Sequence, residues 1–315
     1  MDDALVFLPV VAGPTASGKT ALAVSLAKRI NGEVVSADSM QIYRELRIGT
    51  ASPTPEEMDG IAHHLIGFVP LEQEYSVARY VDDAKRTIFD IDARGRQPLL
   101  CGGTGLYIDA VIDNLNFTGA GRDDKLRQSL RRKAEEQGAD ALLSELYKID
   151  EQTASKLHPN NLGRIIRALE LYYTTGMTMS EHVKMSRSRP PLFNACMIVL
   201  DCRDRDFLYH RINKRVDNMI SDGLVDEVRA VLSNAVSPTA LQAIGYKEFI
   251  PYFEGELSLN QAVENLKRST RRYAKRQLTW FRRRKTAHVL YIDELSATQS
   301  LCDAAMAILE ECAHG

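Results

Sequence analysis

The 315-residue sequence predicts an α/β fold, a parallel sheet flanked by helices with an all-helical domain inserted into it. Three observations lead there. A continuous apolar run, Leu5 to Ala12, passes through the glycine loop Gly13 to Thr20 into apolar residues at helical spacing, Ala21, Leu22, Leu26 and Ile30. Short apolar runs then alternate with helical stretches, the pattern of parallel strands and their crossovers. Within residues 117–190 the strand signal stops and the text becomes charged and helix-like.

The elements follow in order. Glu33 to Ser36 is a second buried strand, ending at Asp38, and His64 to Val69 is a third candidate. A helix over Ser76 to Ala93 leads to the strand Pro98 to Cys101 and the turn Gly102-Gly103-Thr104-Gly105. Asp123 to Gln137, Ala139 to Leu146 and Leu162 to Tyr173 read as helices, and the turn-rich Ser186 to Pro191 ends the insertion. The sheet resumes at Cys196 to Leu200 and Val289 to Ile292, before a terminal helix near Ala297 to Cys312. The expected division is a core of residues 1–116 and 191–315 around a helical insertion at 117–190.

With 44% hydrophobic and 26% charged residues the chain has material for a large core, which excludes disordered, collagen-like and disulfide-scaffold classes. The five cysteines are odd in number, with no CxxC and no histidine at zinc-finger spacing, so buried thiols in a reducing cytoplasm are expected. The opening residues lack a signal or transit pattern, and no apolar run approaches the roughly 18 residues of a membrane span. A cytoplasmic protein without membrane contact is expected. The net charge of -2 argues, taken alone, against a nucleic-acid partner.

Ser258 to Lys285 qualifies that argument. At 100° per residue, Leu259, Ala262, Val263, Leu266, Tyr273, Trp280 and Phe281 gather on one side and a basic face on the other. Lys267 to Lys285 holds ten Lys or Arg in 19 residues and no acid, whereas a solvated helix normally interleaves acids four residues away. The other 30 basic residues face all 42 acidic ones, so the chain is an acidic body carrying one basic ridge suited to a polyanion.

GPTASGKT fits the phosphate-loop pattern GxxxxGK[ST], and the flanking strand and helix supply the context it needs. Gly13, Thr15, Ala16, Ser17, Gly18, Lys19 and Thr20 are the expected phosphate-binding residues, through backbone N–H groups, the helix dipole and the Lys19 charge. Thr20 can ligate magnesium directly or through water. The core is thus expected to be like that of the P-loop NTPases. Asp38, at the end of the second strand, faces the same crevice; it fits water-mediated magnesium binding, a general base, or a turn-capping aspartate. Ser39, Gln41 and Tyr43 follow it as polar groups able to read a second substrate. In nucleotide hydrolases the strand before Gly102 usually ends in an aspartate, but PLLCGGTG has none, which weakens ATPase and GTPase readings. Thr104 fits a hydroxyl near phosphate or a plain glycine turn. Arg211, Arg215 and Arg229 lie on helices after the insertion, and any of them can neutralise a leaving phosphate or sit on the surface.

With GPTASGKT, SADSMQIYRELRIGTASPTPEE, LLCGGTGLYIDAV, HPNNLGRIIRALE, LVDEVRAVL, QAIGYKE and KRQLTWFR in this order, nearly the whole chain resembles the bacterial tRNA dimethylallyltransferases. The resemblance implies magnesium-dependent transfer of the prenyl group of dimethylallyl diphosphate to the N6 amine of the adenosine 3′ to the tRNA anticodon; a monomer is expected, although the sequence itself does not give the oligomeric state. It implies Asp38, Thr104 and Arg229 as catalytic residues, and it is what selects Arg229 over Arg211 and Arg215. Expected tRNA contacts are Asp38, Ser39, Met40, Gln41, Thr104, Arg127, Gly163, Arg164, Arg167, Gln242, Gly245, Tyr246, Lys247, Lys275, Arg276, Gln277, Trp280 and Arg282. The insertion would clamp the anticodon stem-loop; Gly163 departs from the arginine often found there in relatives, which puts one phosphate contact in question. Rival readings are a small-molecule kinase, a nucleic-acid binding module with an idle loop, and an enzyme prenylating free adenine nucleotides.

Overall fold

A computed structural model of the chain describes residues 5–117, 121–295 and 297–314. Six strands form one sheet: β1 (Val6–Ala12), β2 (Gly32–Ser36), β3 (His63–His64), β4 (Gln97–Gly102), β5 (Phe193–Asp201) and β6 (His288–Tyr291). Their order is β3-β2-β4-β1-β5-β6 and every pairing is parallel. This is the P-loop NTPase-like α/β architecture. β1 lies between β4 and β5, with Val10 opposite Leu100 on one side and Met197 on the other. Leu8, Val10, Val11 and Ala12 are fully buried, which is why this strand is an unbroken apolar run rather than an alternating one.

Strand order positions the site. Parallel strands end on one edge, and β4 sits between β1 and β2, so the loops after β1, β4 and β2 are neighbours there. The helix Lys19–Arg29 follows the β1 loop and packs against Thr298–His314. Val77–Ala93, capped by the Ser76 hydroxyl accepting from the Arg79 N–H, buries Tyr80, Val81, Ala84, Ile88 and Ile91 at helical spacing.

Several expectations are corrected. The third strand is only His63–His64, because Leu65 (φ 62°) and Gly67 (φ 59°) take left-handed backbone that a pleat cannot pass through; Val69 then bridges to Tyr43. The long helix runs Leu259–Phe281, starting in a capping box of Ser258 and Gln261, so Arg283 to Lys285 lie beyond it. Its buried stripe is Ala262, Leu266, Ala274, Gln277 and Phe281. Acids do reach the ridge, some from elsewhere in the fold: Lys267 pairs with Asp217 at 2.8 Å and Glu264 at 3.2 Å, Arg282 with Asp201 at 3.0 Å and Arg284 with Asp109 at 3.4 Å. Arg271 donates to Asn213, while Arg268, Arg272, Lys275, Arg276, Arg283 and Lys285 are exposed.

Cysteine is the other correction. Cys101, Cys202 and Cys302 are thiols, but Cys196 on β5 and Cys312 on the terminal helix form a disulfide, their Cα atoms 6.0 Å apart. Packing of that helix on the sheet brings together residues 116 apart in sequence, which spacing in the chain does not reveal.

The chain divides into two compact units, residues 1–112 with 191–315, and residues 113–190. The second holds Asp124–Gln137, Ala139–Ile149, Leu162–Thr175 and an unanticipated helix Met179–Ser186. Leu130, Ala134, Leu142, Leu146, Ala154, Ile165, Ile166 and Leu169 form its own core. Among the described residues no helix is long and apolar enough to cross a membrane.

Candidate active site

The β1 loop is built as an anion cradle. Gly18 (φ 89°) takes the left-handed conformation that glycine tolerates, and the helix starts at Lys19 with no side-chain cap, so its first N–H groups remain for a ligand. Ala16 is also left-handed (φ 63°), and its carbonyl accepts from Arg211 Nε at 2.8 Å, which holds the strained turn. Ser17 is 2% exposed, and its hydroxyl has no hydrogen-bond partner among the described residues. Lys19 donates to the Pro14 carbonyl at 2.6 Å. Burial pushes the Lys19 ammonium down to about 8; the Arg215 guanidinium adds to this, while Cys101 and Asp38 oppose it. Burial lowers Arg215 too, against the pull of Asp38 and Glu57. An orphaned buried hydroxyl beside two destabilised cations is an arrangement an anionic ligand would complete. Thr20, half-buried in the first turn, adds a hard oxygen of the kind magnesium takes.

Asp38 and Thr104 stand beside the cradle. One Asp38 oxygen accepts from the N–H groups of Met40 (2.9 Å) and Gln41 (3.3 Å), which fixes the carboxylate and folds the loop after β2. Thr104 Oγ1 accepts from the Ser39 N–H at 3.0 Å, and the Thr104 N–H donates to the Ala37 carbonyl at 3.0 Å, joining the β4 and β2 loops. Gln41 Nε2 donates to the carbonyls of Thr50 and Ala51. Burial first, and Asp38 among the charges that add to it, raises the phenols of Tyr80, Tyr107 and Tyr273. Tyr80 and Tyr107 stack with ring centroids 3.9 Å apart.

Gln277 locks the loops together. Its side-chain carbonyl accepts from the Thr15 N–H and its amide donates to the Gly103 carbonyl, both at 2.9 Å. A Cβ on residue 103 would meet Gln277 Nε2 at 2.4 Å, so only glycine permits that approach. Gln277, expected as a tRNA contact, is 5% exposed and bridges the phosphate loop from a buried helix stripe.

Other expected contacts are also occupied. Tyr246 is fully buried on Gly49 and its hydroxyl donates to Glu227 at 2.6 Å, while the Gly245 N–H is bound by Glu248. Trp280 packs on Gly105 and donates to Asp109 at 2.7 Å. Arg282 holds Asp201, and Arg127 and Arg167 hold the fully buried Glu170 at 2.8 and 2.6 Å. Arg229, expected as a catalytic residue, is engaged at the surface. On helix Leu224–Leu232, Glu227 turns inward to accept from the N–H groups of Arg47, Ile48 and Gly49. A residue two positions on points about 200° away, and Arg229 is 58% exposed, pairs with Asp226 and lies over the Phe253 ring. The arginines at the loop are Arg211 and Arg215, one turn apart on helix Arg205–Ser221; their i,i+4 spacing was the available signal. Exposed and open to a partner are Gln242, Gly163, Arg164, Lys275 and Arg276; Met40 and Lys247 are half-buried.

A sequence profile described as IPP transferase matches residues 41–284, and one described as isopentenyl transferase matches residues 6–74. The chain belongs to the IPP transferase family. A tRNA dimethylallyltransferase of Acetivibrio thermocellus is 47% identical over 303 residues, covering 96% of this chain and 95% of that protein. One of Caldanaerobacter subterraneus is 46% identical over 93% of this chain and 94% of its own length. The crystal structure of a tRNA isopentenylpyrophosphate transferase from Bacillus halodurans superposes with a TM-score of 0.70 at 41% identity, covering 98% of each chain. A eukaryotic dimethylallyltransferase acting on tRNA gives 0.71 at 31% identity over 88% of this IPP transferase and 70% of the other chain.

Proposed function

We infer that this IPP transferase moves the dimethylallyl group of dimethylallyl diphosphate to the N6 amine of the adenosine 3′ to a tRNA anticodon, releasing diphosphate. The observation that carries the reading is the pairing of an anion cradle with a fixed carboxylate across Thr104. Nucleotide hydrolases of this architecture usually carry an acid at the end of the strand beside the loop, and β4 ends Leu99-Leu100-Cys101-Gly102, which counts against that reading.

In the reaction the carbon–oxygen bond to diphosphate breaks as the N6–carbon bond forms, and the amine loses a proton. An adenine amine is a weak nucleophile, so Asp38 orients it by hydrogen bonding and takes that proton. Charge growing on the diphosphate is met by the loop N–H groups, Ser17 Oγ, Lys19 and Arg215; the role expected of Arg229 passes to Arg215 and, through the Ala16 turn, to Arg211. Thr104 aligns the Asp38 loop with the cradle. Thr20 is the residue that would hold magnesium, which would supply charge neutralisation on the leaving group.

A target base inside a folded anticodon loop has to be extruded to meet Asp38. The exposed cations Arg268, Arg272, Lys275 and Arg276, with Arg164 on the insertion, supply the phosphate contacts. The reading places the enzyme in the cytoplasm as a monomer. Incubation with labelled dimethylallyl diphosphate and magnesium, offering an anticodon stem-loop, AMP or ATP, tests it: label on the RNA supports it, and label on AMP alone or phosphate transfer from ATP overturns it.

A further inference from the structure

Cys196, His288 and Cys312 converge away from the phosphate loop, and their potential ligand atoms all lie within 4.8 Å of one another. Three elements bring them there. Cys196 is buried on β5, two residues before Ile198, and His288 at the start of the neighbouring strand β6 pairs with Ile198, so the two lie on the same face of the sheet. Cys312 lies on the stripe of the terminal helix that buries Leu301, Ala305 and Leu309, at i+4 and i+3 steps. His288 Nε2 is 3.5 Å from Cys312 Sγ.

We propose that in the reduced protein these three side chains bind one thiophilic divalent cation of the zinc class, with a fourth position open to water. With metal–sulfur and metal–nitrogen bonds of about 2.3 and 2.0–2.1 Å at tetrahedral angles, adjacent S and N ligands sit roughly 3.6 Å apart, close to the observed separation. The disulfide accounts for the two sulfurs but gives the imidazole nitrogen beside them no role; two thiolates do. Reduction by two equivalents of an external thiol, itself oxidised to a disulfide, opens the Cys196–Cys312 bond to two thiols, and the cation displaces their two protons. Metal and disulfide are thus alternative ways to pin the end of the terminal helix to the sheet. The site is independent of the prenyl-transfer chemistry.

The test is metal analysis of the full-length protein after anaerobic reduction and equilibration with zinc, alongside cobalt(II) titration of the same sample. The expected result is close to one zinc per chain, a cobalt spectrum with thiolate charge-transfer bands, and at least a tenfold lower metal content in C312S and H288A, with C302S unchanged. Because a variant can misfold, the wild-type cobalt spectrum stands as a separate readout. Five titratable thiols in a protein that holds no zinc and shows no charge-transfer band would overturn the proposal, as would retention of metal in C312S.

Discussion

Asp38 carries two jobs, and one substitution separates them. Its oxygen accepts from the Met40 and Gln41 N–H groups, so Asp38→Ala would unfold the loop as well as remove the base, whereas Asp38→Asn keeps an acceptor for the turn. D38N should lower kcat by about 10²–10⁴ while tRNA affinity holds; a matching loss of affinity in a binding assay would make Asp38 a binding residue. Arg215→Gln should weaken inorganic diphosphate binding at least tenfold, and Arg229→Gln should leave it unchanged, since that guanidinium pairs with Asp226 on the surface; calorimetry with the reverse ranking would restore Arg229. Lys19 adds a pH signature. Its ammonium is held at about 8 in the unliganded protein, and a bound diphosphate raises it again. Below pH 8 the lysine is already charged, and above it binding must take up a proton, so Kd should rise roughly tenfold per pH unit from this group. The same shift means the charged lysine opposes folding below pH 8, a penalty that fades toward its ordinary value of 10.5. Comparing K19M with wild type isolates the effect, and equal slopes above pH 8 would refute it.

Among the elements, those that need only local pattern were legible. Strand, loop and helix at Leu5 to Ile30 follow from one apolar run, one motif and one periodicity, and the capping box at Ser258 starts the long helix near where the pattern does. What the text could not carry was partnership across the fold. Gln277, Tyr246 and Trp280 stand in motifs that resemble tRNA-contact segments, yet their partners, Thr15 with Gly103, Glu227 and Asp109, are far away in sequence. For Gln277 the buried stripe at four- and three-residue steps was a local sign. Arg127 and Arg167 show the same limit in the insertion. Burial pushes the Glu170 carboxyl up, but hydrogen bonds from these two arginines and the Asp123 N–H outweigh it and hold it at about 2. A depressed carboxyl stabilises the fold above its ordinary 4.5, and that contribution is lost as pH falls toward 2. Arg127→Ala leaves a buried carboxylate short of a partner and should cost the insertion about 3 kcal/mol at pH 7. Urea unfolding followed by hydrogen exchange in residues 124–186 would measure it, and an unchanged exchange pattern would return Arg127 to the list of RNA contacts.

Across the whole molecule, charge arrangement rather than its total decides what kind of partner fits. A sum of -2 hides ten cations within 19 residues, and three-dimensional structure sharpens the picture further, because Lys267, Arg282 and Arg284 already answer to acids of the fold. What faces solvent on the helix itself is a smaller set, Arg268, Arg272, Lys275 and Arg276, on the side opposite Ala262, Leu266, Ala274 and Gln277. An acidic body repels polyanions except where such a set stands, so binding there should be local and strongly salt-dependent. Each cation that neutralises an RNA phosphate releases condensed counterions, and its loss should reduce the log–log salt slope by roughly 0.7–0.9. Replacing all four by alanine should therefore flatten the salt dependence of anticodon stem-loop binding and weaken it most at low salt. Diphosphate binding at Ser17, Lys19 and Arg215 should be unaffected, since Gln277, which ties the ridge helix to the phosphate loop, is retained. Fluorescence titrations over a salt series distinguish the outcomes: an unaltered slope means the RNA lies elsewhere, and loss of diphosphate binding as well means the substitutions disturbed the helix that the Gln277 bridge needs.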